Sequence, residues 1–174
     1  MIGASPAFLR AQEHLKRFAR YDAPVLIEGE TGTGKELAAR AIHYESPRRQ
    51  GPFVPINCGA LPDTLIENEL FGHQRGAYTD AHSASPGLVA LAAGGTLFLD
   101  EVDSLSPKGQ VTLLRFMQDQ IYRPVGGGSE KQADVRIIAA CNQDLEQRCA
   151  ARAFRQDLYF RLKLFHLRVP ALRE

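Results

Sequence analysis

GETGTGKE, Gly29 to Glu36, is the stretch on which the fold turns. Gly29, Gly34 and Lys35 stand in the register G-x-x-x-x-G-K, with Glu30, Thr31, Gly32 and Thr33 between them. Glycines let the backbone take φ > 0 and wrap its N–H groups around a phosphate, a following helix presents its N-terminus, and the lysine supplies a point charge. A glycine-rich turn can also be a plain strand-to-helix connection, so its neighbours decide. The run VLIEG, Val25 to Gly29, is short, apolar and β-rich, and Leu37, Ala38, Ala41 and Ile42 follow at helical spacing. Strand, glycine loop and helix predict the start of an α/β nucleotide-binding unit.

The eighth position, where Ser or Thr would help to hold Mg²⁺, is Glu36. That work would pass to Thr31 or Thr33, or to water held by an acidic residue elsewhere. An acidic pair is present in TLFLDE, Thr96 to Glu101, where four strand residues precede Asp100 and Glu101. The carboxylates then emerge at the carboxyl end of a buried strand, the edge at which open parallel sheets bind ligands. There Asp100 would hold magnesium through water, and Glu101 would polarise a water for in-line attack on a γ-phosphate. An Asp-Glu pair can also cap a helix. Beside the Gly29–Lys35 loop, the reading is an ATP or GTP hydrolase of the P-loop class.

Further runs, FVPINC (Phe53 to Cys58), VRIIAAC (Val135 to Cys141) and LFHLRV (Leu164 to Val169), bring the apolar segments to five. They alternate with helical stretches and are mostly unalternating, which predicts a parallel sheet covered on both faces, a three-layer α-β-α fold. Ser5-Pro6 opens a helix with Phe8, Ala11, Leu15, Phe18 and Ala19 on one face, and Ser85-Pro86 and Ser106-Pro107 are read as two more helix starts. Gly72 to Ser85 and Arg123 to Gln132 are polar, glycine-bearing and out of the alternation, and are read as functional inserted loops at about 72–85 and 123–132. Residues 1–174 are read as one α/β unit, a fragment of a longer protein without a C-terminal helical lid.

The bulk numbers exclude little and imply less. With 21 basic and 20 acidic residues the net charge is +1, so nothing global draws the chain to nucleic acid or to a membrane. No apolar stretch approaches the ~18 residues of a membrane span, and no signal sequence opens the chain, so a cytoplasmic location is expected. Cys58, Cys141 and Cys149 read as reduced thiols, and the histidines at 14, 43, 73, 82 and 166 lack metal-ligand spacing. Arg48-Arg49, after Pro47, reads as a solvated turn.

Taken together, IEGETGTGKE, ENELFGHQRGAYTDA, GGTLFLDE, RIIAACNQDL and FRQDLYFRL resemble, in order and spacing, the central AAA+ ATPase domain of the bacterial enhancer-binding proteins, the sigma-54-dependent transcription activators. The resemblance covers essentially the whole chain. It implies a ring-forming, usually hexameric ATPase that remodels the closed promoter complex of sigma-54 RNA polymerase, with DNA bound by a further C-terminal domain and not by this segment. A glutamate after the loop lysine is normal in that family. By position, Asn57 matches the residue that hydrogen-bonds Glu101 and releases it with nucleotide state. Asn142 matches the sensor of the γ-phosphate, with Cys141 before it where threonine is usual. Arg155 and Arg161 match the pair that reaches into the neighbouring subunit's site. The segment Gly76, Ala77, Tyr78, Thr79, Asp80 and Ala81 matches the G-A-F-T-G-A loop whose tip touches sigma-54. Tyr78 keeps the aromatic and Thr79 the hydroxyl, but Asp80 replaces a glycine and adds a negative charge. The alternative is therefore a nucleotide-responsive regulatory or oligomerisation module that no longer engages sigma-54. An unrelated P-loop enzyme such as a small-molecule kinase fits the paired arginines and the two inserted loops poorly.

Overall fold

The apolar run ahead of the glycine loop is a strand, β1 (Val25–Glu28), and it lies inside a five-stranded sheet. The structure, a computed structural model, describes residues 6–62, 65–78 and 81–170. The remaining runs form β2 (Phe53–Asn57), β3 (Thr96–Asp100), β4 (Arg136–Cys141) and β5 (Phe165–Arg168). All pair in parallel, in the order β2-β3-β4-β1-β5. The register sets Asn57 beside Asp100, and Glu28 between Cys141 and Arg168. The loops that leave β1, β2, β3 and β4 therefore share one edge, which carries the glycine loop, Asn57, the acidic pair and Asn142.

Every residue of β4 is buried, as are the first four of β3. A strand covered on both faces has no solvent side to mark with polar residues, which is why these runs do not alternate. Successive side chains enter opposite layers. Leu26, Leu97, Leu99, Ile137 and Ala139 join one apolar cluster, while Val25, Ile27, Phe98, Ile138 and Ala140 join the other. The helices α1 (Pro6–Ala19) and α2 (Lys35–Tyr44) cover the second face through Leu15, Phe18, Ala38, Ala39 and Ile42. The first is covered by α3 (Ile66–Phe71), α4 (Leu88–Leu91), α5 (Pro107–Asp119), α6 (Leu145–Ala150) and α7 (Gln156–Leu162). Each fully buried side chain such as Phe98 or Ile42 contributes about 1.5–3 kcal/mol of transfer free energy.

Two buried polar groups tie these layers together. Arg136, at the head of β4 and only 3% exposed, donates from Nη2 to Phe18 O (2.9 Å), from Nη1 to Ala19 O (3.4 Å) and from Nε to Ala23 O (3.2 Å). These carbonyls at and just past the end of α1 gain a cationic donor where the helix dipole is negative. Burial holds the Arg136 pKa below its usual value. His43, fully buried on α2, sets Nδ1 2.9 Å from Thr96 Oγ1 on β3, and burial holds its pKa low, against the opposing pull of the Gly51 backbone as an acceptor.

Three readings need correction. Ser85-Pro86 does not start a helix: it pairs antiparallel with Gly72–His73, and Gly87 takes the cap position of α4. Leu37 is exposed, because the buried face of α2 runs through Lys35, Ala38, Ala39, Ile42 and His43. Arg48 is not solvated: its guanidinium bridges Asp22 (2.6 Å) and Asp134 (2.5 Å), which raises its pKa. Ser106, by contrast, caps α5, accepting from Gly109 N at 3.1 Å with Pro107 in the first turn. Ser5 and the Phe8 side chain lie outside the described residues.

The two inserted loops are clipped to each other. The first is closed by the Gly72–His73 ribbon just named, and the second by Ile121–Tyr122 against Lys131–Gln132. Between them, Val125 N donates to Gly72 O (2.8 Å) and Gln74 N to Val125 O (3.0 Å). Among the described residues no helix is long and apolar enough to cross a membrane.

Candidate nucleotide site and partner loop

Gly32 (φ 82°) and Gly34 (φ 84°) take left-handed backbone, and Gly34 caps α2 with no side-chain hydrogen bond. A Cβ built on Gly32 meets nothing within 4 Å, so the loop opens onto free space there. Lys35, the first residue of α2, is 7% exposed. Its Nζ donates to Gly29 O (2.9 Å), Glu30 O (3.0 Å) and Asn142 Oδ1 (2.6 Å), which uses the three donors an ammonium has. Thr33 turns inward, its Oγ1 donating to Glu30 O at 2.8 Å, while Thr31 and Glu36 are exposed and Glu36 pairs with Arg40.

At the end of β3, Asp100 Oδ1 accepts from the Glu101 N–H at 2.9 Å. Burial raises the Asp100 pKa, and that N–H and the Lys35 charge oppose the rise. Glu101 itself stands at φ 52°, ψ 44°, a left-handed conformation costing about 1–2 kcal/mol in a residue with a Cβ. The turn brings Glu101 Oε1 to 3.5 Å from Asn142 Nδ2. One amide thus serves two opposite charges: the Asn142 oxygen accepts from the Lys35 ammonium and its nitrogen donates to the Glu101 carboxylate. The backbone of Asn142 is itself held, its N–H donating to Asp103 Oδ1 at 3.4 Å.

Asn57 lies near this group, but its hydrogen bonds go elsewhere. Its Oδ1 accepts from Gly59 N (2.8 Å) and Ala60 N (3.2 Å), capping the one-turn helix Cys58–Ala60. A Cβ on Gly59 would fall 2.3 Å from Glu101 Oε2 and 3.3 Å from Asn57 Oδ1, so the two side chains flank that glycine. The expected hydrogen bond from Asn57 to Glu101 is not made in this structure: the asparagine oxygen serves the two N–H groups of its own turn, and its amide nitrogen does not reach the carboxylate. The arginine pair also engages local partners. Arg155 forks onto Asp157 (3.0 and 2.7 Å), and Arg161 caps the end of α5 through Met117 O (3.1 Å) and Gln118 O (3.2 Å). Neither arginine reaches the Lys35–Asn142–Glu101 group of its own chain.

Asp103 and Gln110 escaped the sequence reading. Asp103 is 3% exposed and anchors Asn142; the second aspartate of DEVD is its signal. Gln110, 2% exposed, fixes the start of α7 by accepting from Arg155 N (2.8 Å) and donating to Ala153 O (3.2 Å). A glutamine on the buried face of α5 was the clue. Burial pushes the Cys58 thiol up to about 12 and the Cys141 thiol higher still, with Cys141 Sγ directed at Ile27 O in the sheet. All three cysteines are free.

Of residues 76–81, Gly76, Ala77, Tyr78 and Ala81 are described, while Thr79 and Asp80 lie outside the described residues. Gly76 N donates to Ala81 O (2.8 Å) and Ala81 N to Tyr78 O (3.0 Å), with Ala81 buried and Tyr78 exposed. A cavity of about 260 Å³ adjoins the glycine loop, lined by Glu28, Gly29, Asn142, Asp144, His166 and Arg168. His166 Nε2 stands 2.6 Å from Glu28 Oε2 at its rim. No His/Cys/Asp/Glu cluster among the described residues is arranged to hold a metal alone. Asp100, close enough to Lys35 to feel its charge, has the carboxylate that a magnesium ion sharing its ligands with a phosphate would need.

Known proteins resemble this chain in sequence and in fold. The profile of the family described as "Sigma-54 interaction domain" matches residues 1–168. The Nif-specific regulatory protein of Azotobacter vinelandii is 48% identical over 174 residues, all of this chain and 33% of that protein. The response regulator protein PilR of Pseudomonas aeruginosa is 50% identical, again over all of this chain and 39% of its own length. The chain therefore spans little more than a third of these relatives. The crystal structure of NtrX from Brucella abortus in complex with ATP superposes with a TM-score of 0.90 at 38% identity, over 99% of this chain and 37% of that one. The architecture is that of the P-loop AAA+ domains.

Proposed function

This chain belongs to the sigma-54 interaction domain family, and from that premise we propose that it is the ATP-hydrolysing part of a sigma-54-dependent transcriptional regulator. The observation that carries the reading is the Asn142 amide set between Lys35 and Glu101, 2.6 Å from the cation and 3.5 Å from the carboxylate. A group so placed feels both a phosphate arriving at Lys35 and a water poised at Glu101. In this mechanism the N–H groups of Glu30–Glu36 and the Lys35 ammonium hold the β- and γ-phosphates. The Lys35 ammonium then exchanges its bond to Asn142 for one to phosphate, and the freed amide turns to the γ-phosphate. Glu101 orients the attacking water, and Asp100 would hold magnesium, which neutralises charge on the phosphate oxygens.

Arg155 and Arg161 act from the neighbouring subunit in a ring, stabilising charge on the transferred phosphoryl group. This agrees with their distance from the nucleotide site of their own chain. Coupling to sigma-54 RNA polymerase runs through residues 76–81. Asp80, where the family has glycine, supports a second reading in which the chain hydrolyses ATP and assembles but does not engage sigma-54.

A mixing assay tests the hydrolytic reading. Glu101→Gln and Arg155→Ala should each lower turnover on the order of 10²–10⁴-fold when alone. Mixed together they should regain activity, because an intact arginine from one subunit then meets an intact glutamate in the next. Full turnover by Glu101→Gln alone would refute the role of the carboxylate, and no recovery on mixing would refute action between subunits.

A further inference from the structure

His73 stands where three segments meet. Its backbone pairs with Ser85 across the first ribbon and bridges to Val125 of the second insertion. Its Nδ1 lies 2.8 Å from Asn68 Oδ1 on α3. An amide oxygen only accepts, so the contact puts the proton on Nδ1 and fixes the rotation of the imidazole ring. On its other side the ring lies 5.1 Å from that of Tyr78, inclined at 59°, within the tilted geometry that aromatic pairs favour. Tyr78 is 46% exposed and makes no other ring contact among the described residues.

An exposed aromatic on a glycine-flanked loop would otherwise sample several rotamers, and a partner that grips it would have to supply the cost of ordering. We propose that His73 is a positioning residue that aims Tyr78 at its protein partner, with Asn68 as the group that locks His73. The proposal rests on the reading of residues 76–81 as the sigma-54 contact. It adds a chain of side chains, Asn68 to His73 to Tyr78, by which helix α3 holds the loop's aromatic in a presented orientation. His73 does not touch the partner itself, and neither residue belongs to the nucleotide site.

Two readouts test it. The first is NMR of protein labelled on its tyrosine rings, of which there are five, with Tyr78 assigned by the signal lost in Tyr78→Phe. Asn68→Ala should move the Tyr78 ring signals toward those of a free tyrosine. Asn68→Asp keeps an acceptor oxygen for the Nδ1 proton and should leave them in place. The second is capture of isolated sigma-54 by protein held with ADP and aluminium fluoride. His73→Ala and Asn68→Ala should weaken capture about tenfold, equivalent to ~1.4 kcal/mol, while Asn68→Asp keeps wild-type affinity. ATP turnover should stay within about twofold of wild type in all three. Unmoved Tyr78 signals in Asn68→Ala overturn the proposal, and so do moved signals with undiminished capture. Should wild-type protein capture no sigma-54, the functional reading falls, and the ring signals alone decide whether His73 positions Tyr78.

Discussion

Gly29 and Gly32 occupy the same loop for different physical reasons, and paired substitutions separate them. Gly29 has no left-handed φ, but a Cβ there would sit 2.8 Å from Thr33 Oγ1, 3.0 Å from Val169 O and 3.4 Å from Val169 Cβ. Neither neighbour yields cheaply. Val169 N is bonded to Glu28 O at 2.8 Å, and Thr33 Oγ1 to Glu30 O at 2.8 Å. Overpacking of this kind costs about 1–3 kcal/mol, equivalent to about 2–12 °C in Tm for a chain of this length. Gly32 has open space and φ 82°, so its substitution meets only the left-handed penalty, about 1–2 kcal/mol or about 2–8 °C. These ranges overlap, but the response to a second residue type has opposite sign at the two positions. Asparagine tolerates left-handed backbone better than alanine and is larger. Gly32→Asn should therefore melt above Gly32→Ala, whereas Gly29→Asn should melt below Gly29→Ala. Thermal unfolding followed by circular dichroism reads all four variants. Equal melting of the pair at either position would refute the assignment of steric cost to Gly29 and backbone cost to Gly32.

Two further outcomes concern the buried polar groups. Arg136→Met, which keeps much of the apolar stem but strips three carbonyls of their donor, should lose on the order of 2–4 kcal/mol in urea unfolding; an unchanged midpoint would contradict the tie between β4 and α1. His43, held below its usual pKa by burial, is neutral in the fold and takes up a proton more readily when unfolded. Its contribution is present above about pH 6.5 and lost as pH falls toward the folded value, so stability should drop from about pH 6.5 downward. His43→Gln should flatten that limb in urea titrations at different pH, and an unaltered slope would contradict it.

Much of the frame was legible before the structure. All five strands fall within a residue or two of the apolar runs that predict them; for the central β1, β3 and β4 the reason is that a strand buried on both faces writes its character into nearly every position. Ser106-Pro107 caps a helix, while the same pair of residue types at Ser85-Pro86 does not. The difference is tertiary, since Gly72–His73 offers Ser85-Pro86 a strand to pair with, and no local signal in the segment reports that partner. The glycine loop and the acidic pair were found by spacing, yet the group that connects them is Asn142, 107 positions from Lys35. Its double hydrogen bond depends on the left-handed turn at Glu101, which no pattern in TLFLDE announces. Asn57 shows the converse: the resemblance implied a bond to Glu101, whereas in the structure the side chain caps its own turn and its amide nitrogen does not reach that carboxylate. The clip between the two inserted loops through Val125 likewise joins backbone atoms, which carry no residue-type signature.

The most direct measurement of the proposed function is the affinity of isolated sigma-54 for the protein, compared between ADP alone and ADP with aluminium fluoride. Capture should be at least about tenfold tighter with the transition-state mimic and should be lost in Tyr78→Ala. Equal affinity in the two nucleotide conditions, or full capture by Tyr78→Ala, would contradict a nucleotide-driven contact through this loop.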